Sequence, residues 1–141
     1  MKWKNEYSLG IEEIDNQHKG LIDKFSQVEE IVATKGGWMK IHYKVVELGQ
    51  VARRHFDFEE GLMRLFGIPN VEEHKKGHEY FFTKVAEIES HSLLGSAESE
   101  LLQFLYEWLR DHILVADRRD YAELVLGLAH VVKAEVGAAA S

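Results

Sequence analysis

The sequence has no cysteine and only one proline, Pro69, among its 141 residues. Without cysteine, disulfide bonds, thiolate metal ligands and cysteine nucleophiles are all excluded. A chain of this length can bury about 70% of the surface exposed on unfolding, so a single domain over residues 1–141 needs no disulfide. Because proline interrupts helices, its near absence favours long helices with few breaks.

Basic residues and long apolar runs are also scarce. The 17 lysines and arginines are outnumbered by 24 acidic residues, and the net charge is −7 at pH 7. A protein that binds nucleic-acid phosphates needs a basic face, so this balance argues against that class. No apolar run approaches the about 18 residues of a membrane span, and the N-terminus lacks the apolar stretch of a secretory signal. We therefore expect a soluble cytoplasmic protein that binds neither nucleic acid nor membrane.

The remaining residues are arranged as four amphipathic segments. Breaks at residues 36–37, 67–70 and 95–96 separate them, and apolar residues recur in each at three- and four-residue spacing. Short connections between long helices favour antiparallel neighbours. The sequence thus predicts an all-α, antiparallel up-down-up-down four-helix bundle over about residues 12–118. Asp15 and Asn70 are predicted N-caps of the first and third helices, because short polar side chains can accept hydrogen bonds from free amides.

A C-terminal extension, about residues 119–141, follows the bundle. Its stretch over residues 121–136 is compatible with an additional short helix. We expect this helix to cover one end of the bundle, with a partner-binding or dimerising helix as the alternative.

Several of the eight histidines fall where an amphipathic helix should present its core-facing side chains. Together with one glutamate they occupy such positions in all four segments: His18, His55, Glu59, His74, His78 and His112. An unpaired ionisable group costs several kcal/mol to bury, so these groups must pair with one another or with a metal. A lone buried histidine is usually a satisfied core residue, but six such polar groups on four helices indicate a shared ligand.

The spacing of these residues favours a metal. His55 and Glu59 are four residues apart, as are His74 and His78, so each pair lies on one face of its helix. A second carboxylate, Asp117, lies five residues after the last of these histidines, which turns the two side chains about 140° apart in a regular helix. If both bind metal, the helix must form a π-helical turn or end between them.

The number of ligands favours two metal ions. Five histidines and two carboxylates exceed what one ion takes from protein and suit two six-coordinate ions that share bridging carboxylates. Mixed imidazole and carboxylate ligands favour iron over manganese or zinc. The sequence lacks the Glu-x-x-His motifs of carboxylate-rich di-iron bundles. Because neutral imidazole replaces most carboxylates, high-valent oxidation chemistry is disfavoured and reversible binding is the more natural use.

These residues resemble the motifs of the bacterial hemerythrins. The resemblance covers about residues 3–121 and rests on Trp3 and five stretches, at 7–11, 14–19, 55–60, 74–78 and 108–117. All seven metal-ligand positions of that family are present in order and at its spacing, so the match is highly specific.

The resemblance implies two iron ions, Fe2+ or Fe3+, joined by an oxo or hydroxo bridge. His74, His78 and His112 would coordinate one iron fully. His18 and His55 would hold the other iron, which keeps one position open for dioxygen.

The resemblance also implies roles for the two carboxylates and for an apolar pocket. Glu59 and Asp117 would bridge the two irons. The oxygen pocket of the family would be lined by four apolar residues, Leu21, Phe56, Leu109 and Ile113. Such a lining excludes the water and protons that would eject peroxide and leave the inactive diferric form.

The predicted function is reversible dioxygen binding at a non-haem di-iron centre, for oxygen storage, delivery or buffering, without enzymatic activity. Two alternatives stay open: an oxygen or redox sensor that acts through a separate partner, and an enzyme that turns over peroxide or nitric oxide. The apolar pocket offers no obvious proton donor, which argues against the enzyme. We expect a monomer, with a dimer through the C-terminal helix as the alternative.

The residues outside the ligand set have more ordinary interpretations. His42 is predicted to be exposed, His91 to lie near the end of the third helix, and His130 has no assigned role. Tyr106 and Tyr121 flank the ligands of the fourth segment, and either could hydrogen-bond a ligand side chain.

Overall fold

The computed structural model of the protein describes residues 1–91 and 97–140, with the side chains of 129–132 and 138–140 left out. Within these residues every regular element is helical. The main helices are α1 (Glu12–Ala33), α2 (Trp38–Leu65), α3 (Val71–Ser90), α4 (Ala97–Asp111) and α5 (Glu123–Ala140). A short 3-10 turn, Asn5–Tyr7, precedes α1. None of these described helices is both long enough and apolar enough to cross a lipid bilayer.

Helices α1 to α4 form a bundle in which each packs against the next and α4 packs against α1. The connections at 34–37 and 66–70 are so short that consecutive helices must run antiparallel. The predicted all-α, antiparallel four-helix bundle is confirmed.

Two of the three apolar clusters among the described residues lie along the bundle on either side of a polar layer. Phe25, Leu48 and Leu101 belong to the larger cluster, and Ile14 and Met63 belong to the smaller one. Because α1 and α2 contribute buried residues to both clusters, the polar residues between them are enclosed along the bundle axis as well as around it.

The start of α1 differs from the prediction. The helix begins at Glu12 with Ile11 at the N-cap, so Asp15 lies inside the first turn. Its carboxylate accepts hydrogen bonds from the backbone N–H of Leu9, at 2.8 Å, and from the Ser8 hydroxyl. Asp15 thus fixes the segment before the helix instead of capping it, an interaction that helical periodicity does not reveal.

Helix α3 begins after Asn70, as predicted, but the Asn70 side chain does not cap the helix in the predicted way. Asn70 occupies the N-cap with a left-handed backbone (φ 66°), and its side chain makes no capping hydrogen bond. Its carbonyl accepts the first helical hydrogen bond from the N–H of His74 at 3.0 Å. Asparagine suits this position because it tolerates the left-handed conformation better than most residues do.

The fourth helix continues beyond Asp111 through two π-helical turns, His112–Ala116 and Arg118–Ala122, directly into α5. In a π-helical turn the hydrogen bond joins residues five apart, so side chains at that spacing share a face. The π-turn predicted between His112 and Asp117 is therefore confirmed, and both side chains are buried.

The additional C-terminal helix is present, but it is the bent continuation of the fourth helix and is 18 residues long. Its first turns pack on the end of the bundle, where Val125 is buried with Leu9 and Met63. Residues 133–137 are exposed. The side chain of His130 lies outside the described residues.

Candidate metal centre

A layer of seven buried polar side chains lies between the two apolar clusters. Each of the four bundle helices or its π-helical continuation contributes to it, and no member is more than 6% exposed: His18, His55, Glu59, His74, His78, His112 and Asp117. These are the seven residues singled out in the sequence, and the fold brings all of them together.

Glu59 lies at the middle of this layer, and its two oxygens face different histidines. Oε1 lies 2.9 Å from Nε2 of His55 and 3.6 Å from Nε2 of His18. Oε2 lies 3.0, 3.3 and 3.4 Å from the Nε2 atoms of the three other histidines. The carboxylate thus separates the imidazoles into a pair (His18 and His55) and a trio (His74, His78 and His112), which is the division that the resemblance implies.

Asp117 also contacts both groups of histidines. Its Oδ2 lies 2.9 Å from Nε2 of His18 and 3.1 Å from Nε2 of His112. Its Oδ1 lies 3.2 Å from Nε2 of His74. Both carboxylates are therefore placed to be shared between two ligand sets.

Several of these buried atoms are close to one another without being hydrogen-bonded. The Nε2 atoms of His55, His78 and His112 and the Oδ1 atom of Asp117 have no hydrogen-bond partner. Buried polar atoms almost always have a partner, so each exception needs an explanation. Two ligands bound at right angles about 2.1 Å from one ion would lie about 3 Å apart, as these atoms do. These side chains are therefore placed as ligands of metal ions rather than as hydrogen-bond partners of one another.

Two overlapping groups of ligand atoms lie within 4.8 Å of one another and could hold a metal ion. One group is His18, His55, Glu59, His112 and Asp117, and the other is Glu59, His74, His78 and His112. Glu59 and His112 belong to both groups, and Asp117 belongs to the first. Glu59 has two carboxylate oxygens that face different histidines, as a bridging ligand would.

The electrostatics of the layer explain why so many ionisable groups can be buried together. Burial lowers the pKa of His74, but hydrogen bonds and the negative charges of Asp117 and Glu59 raise it to about 11. The pKa of His112 rises to about 9 because the same carboxylates outweigh burial. Burial raises the pKa of Glu59, but positive charge on His55 and His112 holds it well below its ordinary value. Without metal, the opposite charges of the layer neutralise one another.

Metal binding should therefore release protons. At pH 7 the pKa values of His74 and His112 keep their imidazoles protonated, whereas a metal binds only neutral imidazole. We expect the apparent affinity for Zn2+ to rise with pH between about 7 and 9. Calorimetric titration at pH 7 in two buffers of different ionisation enthalpy would measure the released protons. Replacement of His42, outside the centre, should leave their number unchanged, and a release of none would contradict the prediction.

Comparison with known proteins assigns the chain to one family. Residues 9–124 match the family model described as the hemerythrin HHE cation binding domain. The chain belongs to the hemerythrin family. It is 31% identical over 122 residues to a bacteriohemerythrin of Clostridium acetobutylicum, covering 82% of this chain and 95% of that protein. It is 33% identical over 129 residues to a bacteriohemerythrin of Pseudomonas aeruginosa, covering 91% of this chain and 81% of that protein.

A second layer, made of side chains outside the seven, forms hydrogen bonds to some members of the metal centre of this hemerythrin domain. The outward-facing Nδ1 of His55 lies 2.7 Å from Oε1 of Gln17, and that of His74 lies 2.8 Å from Oδ2 of Asp120. Gln17 and Asp120 were not among the site residues predicted from the sequence. Each lies within three residues of a predicted ligand, but each contacts a histidine of another helix, which spacing along one helix cannot indicate.

Tyr121 is also part of this second layer. Its hydroxyl donates a hydrogen bond of 2.8 Å to Oε1 of Glu59, so one of the two predicted tyrosines contacts a member of the seven-residue layer. Tyr106 does not; it is 40% exposed and its ring packs against the Arg110 side chain. Tyr106 lies in the regular part of the fourth helix, six residues before His112, which turns it about 120° away from that side chain. Tyr121 lies in the second π-helical turn, so its inward position depends on those turns.

The apolar residues beside the layer are all buried: Leu21, Phe56, Leu109 and Ile113. The Phe56 ring stacks on His78 with centroids 3.9 Å apart, and Trp108 stacks on His112 at 4.5 Å. Three of the four residues belong to the larger apolar cluster. Ile113 packs with Tyr7 and Ile22 in a separate cluster.

The histidines outside the layer have structural surroundings. The side chain of His42 is 45% exposed, as predicted, and its Nδ1 is also hydrogen-bonded to the carboxylate of Glu89 on α3. The contact forms because the helices α2 and α3 pack side by side. His91 occupies the C-cap of α3, as its predicted position near the helix end requires.

Proposed function

We propose that this hemerythrin domain holds two iron ions and binds dioxygen reversibly, for oxygen storage, delivery or buffering. The trio would hold one iron and the pair the other, with Glu59 and Asp117 as bridging ligands beside an oxo or hydroxo group. The observation that carries the proposal is the division of the five imidazoles by the two oxygens of Glu59. The names of its relatives, bacteriohemerythrins, support it.

The unequal donor sets suit this role. With three histidines on one side and two on the other, the pair leaves one position free for an exogenous ligand. Bound iron would supply the two electrons that dioxygen takes up on binding and returns on release. Leu21, Phe56 and Leu109 would exclude water from the neighbourhood of that position, since they are buried and carry no polar side-chain atom.

The acidity of nearby groups favours a carrier over an enzyme. Turnover of peroxide needs a group that delivers protons, and Tyr121 is the hydroxyl bonded to Glu59. Burial and the charges of Glu59 and Asp117 raise the pKa of Tyr121 above its ordinary value, so it keeps its proton at neutral pH. We therefore assign Tyr121 a positioning role, in which its hydrogen bond holds Glu59 in place.

Metal analysis paired with absorption spectroscopy tests the proposal. The iron-loaded protein should hold two irons per chain, and its oxygenated form should show a visible charge-transfer band that disappears under vacuum and returns with air. A protein that retains zinc alone, or that oxidises without reversible uptake, would contradict it. Steady consumption of peroxide would indicate the enzyme, and a change of oligomeric state on reduction would indicate the sensor.

The proposal includes the organisation predicted from the sequence. One domain over residues 1–141 would act as a monomer in the cytoplasm. Sedimentation of the iron-loaded protein should give the mass of one chain, and a dimer would point to the C-terminal helix as a contact.

A further inference from the structure

The groups behind the trio are carboxylates. Nδ1 of His74 is hydrogen-bonded to Oδ2 of Asp120 at 2.8 Å. Nδ1 of His78 has no hydrogen-bond partner among the described residues, but Oε1 of Glu60 lies 3.6 Å from it. Asp120 is itself held in place, because Arg119 donates a hydrogen bond of 2.6 Å from its Nε to Oδ1. The trio therefore has negative charge on its outer side at two of its three histidines.

The groups behind the pair are different. Nδ1 of His55 lies 2.7 Å from the neutral amide oxygen of Gln17. Nδ1 of His18 is buried and has no hydrogen-bond partner among the described residues. The two sides of the centre thus differ in charge behind the ligands as well as in the number of ligands.

This difference has a direct effect on metal binding. A carboxylate that accepts the Nδ1–H hydrogen bond makes the opposite nitrogen a stronger donor and holds the ring in one orientation. Loss of such a partner typically lowers metal affinity about 10- to 100-fold. A neutral amide orients the ring but adds no charge, and an imidazole without a partner gains neither effect.

We propose that the two metal positions differ in affinity, that the trio fills first, and that Asp120 is the positioning residue that sets this order. The inference rests on the proposed two-metal centre. It assigns a role to Asp120, which binds no metal itself and acts through His74.

Calorimetric titration of the metal-free full-length chain with Co2+ alone tests the order. The wild type should bind two ions in separate steps. The variant His55→Asn should keep the tighter step, and His78→Asn should lose it. The opposite result, with the tighter step lost in His55→Asn, would overturn the order.

The variant Asp120→Asn tests the role of the carboxylate. It keeps the shape of the side chain, and we expect it to weaken the tighter step about 10- to 100-fold while the weaker step is unchanged. Asp111→Asn is the matched control, because Asp111 is an exposed carboxylate next to His112 that pairs with Arg110 at 3.2 Å. Equal weakening of both steps by Asp120→Asn, or no more weakening than in Asp111→Asn, would overturn the proposal.

A variant that is expected to strengthen metal binding distinguishes the role of the outer charge from a general loss of folding. Gln17→Glu places a carboxylate behind His55, so it should tighten the weaker step and bring the two affinities closer together. Looser binding at that step would overturn the role of the outer charge. Failure of the wild type to bind two Co2+ ions would overturn the two-metal centre as well. The variants could show the expected order of Co2+ binding while the iron form takes up no dioxygen. That result would support the order and contradict only the proposed function.

Discussion

Insertion of one alanine between Val115 and Ala116 should abolish the two-metal centre. His112 and Asp117 are five residues apart and face the same layer because a π-helical turn joins them. The π-turn brings residues five apart onto one face, and one further residue adds about 100° of rotation, which turns Asp117 away from His112. Asp117 and Tyr121 would then leave the layer. We expect the metal content to fall from two ions per chain to at most one, as measured by elemental analysis.

Deletion of Val115 provides a control that changes chain length in the other direction. It leaves His112 and Asp117 four residues apart, a spacing at which side chains share a face in an ordinary α-helix. Val115 is 52% exposed, so its side chain is not needed in the core. The deletion should retain two metal ions and lose only the π-helical turn. An insertion variant that binds as much metal as the deletion variant would show that the π-turn does not position Asp117.

The variant Glu59→Gln should have the second large effect, on both metal content and stability. Glu59 contacts the Nε2 atoms of all five histidines in the layer. Loss of its charge removes a bridging ligand and leaves protonated imidazoles buried without compensation. Breaking a buried ion pair in this way costs about 3–5 kcal/mol. We expect at most one bound metal and a free energy of unfolding of the metal-free protein lowered by about that amount at pH 7.

Urea denaturation of the metal-free protein measures this effect, with Asp57→Asn as control. Asp57 lies on the same helix and is exposed, so its change should stay within about 0.5 kcal/mol. The pKa of Glu59 is held well below its ordinary 4.5, so its contribution is present above pH 4.5 and is lost as the pH falls further. Equal stability of Glu59→Gln and Asp57→Asn at pH 7 would contradict this account of the layer.

Much of the candidate site was predictable because helical periodicity places each residue on a known face. His18, His74 and His78 occupy positions where the pattern calls for an apolar side chain, so their burial followed from the pattern alone. The π-turn was predictable for a similar reason. A five-residue spacing does not fit 3.6 residues per turn, so two inward-facing ligands at His112 and Asp117 required an altered helix.

Other features depended on contacts between segments that periodicity does not relate. Asp15 was predicted as a cap from its position near a helix start, but it binds the backbone of Leu9 and the hydroxyl of Ser8. His42 is exposed, as its position on its own helix predicts, but its hydrogen bond to Glu89 of a neighbouring helix was not predicted. Neither partner can be identified from the spacing of residues along one helix.

The order of residues along the chain was enough to determine the four-helix bundle, the seven polar positions in its interior and the break in helical regularity before Asp117. These follow from the repeat of the α-helix, a local property of the backbone. Only the tertiary structure decided which histidine faces which oxygen of Glu59, and which outer side chain stands behind each ring. Those distances depend on how far each helix is shifted and rotated against its neighbours, which the packing of the whole bundle sets. The charges that distinguish Asp120 from Gln17 act across these helix contacts.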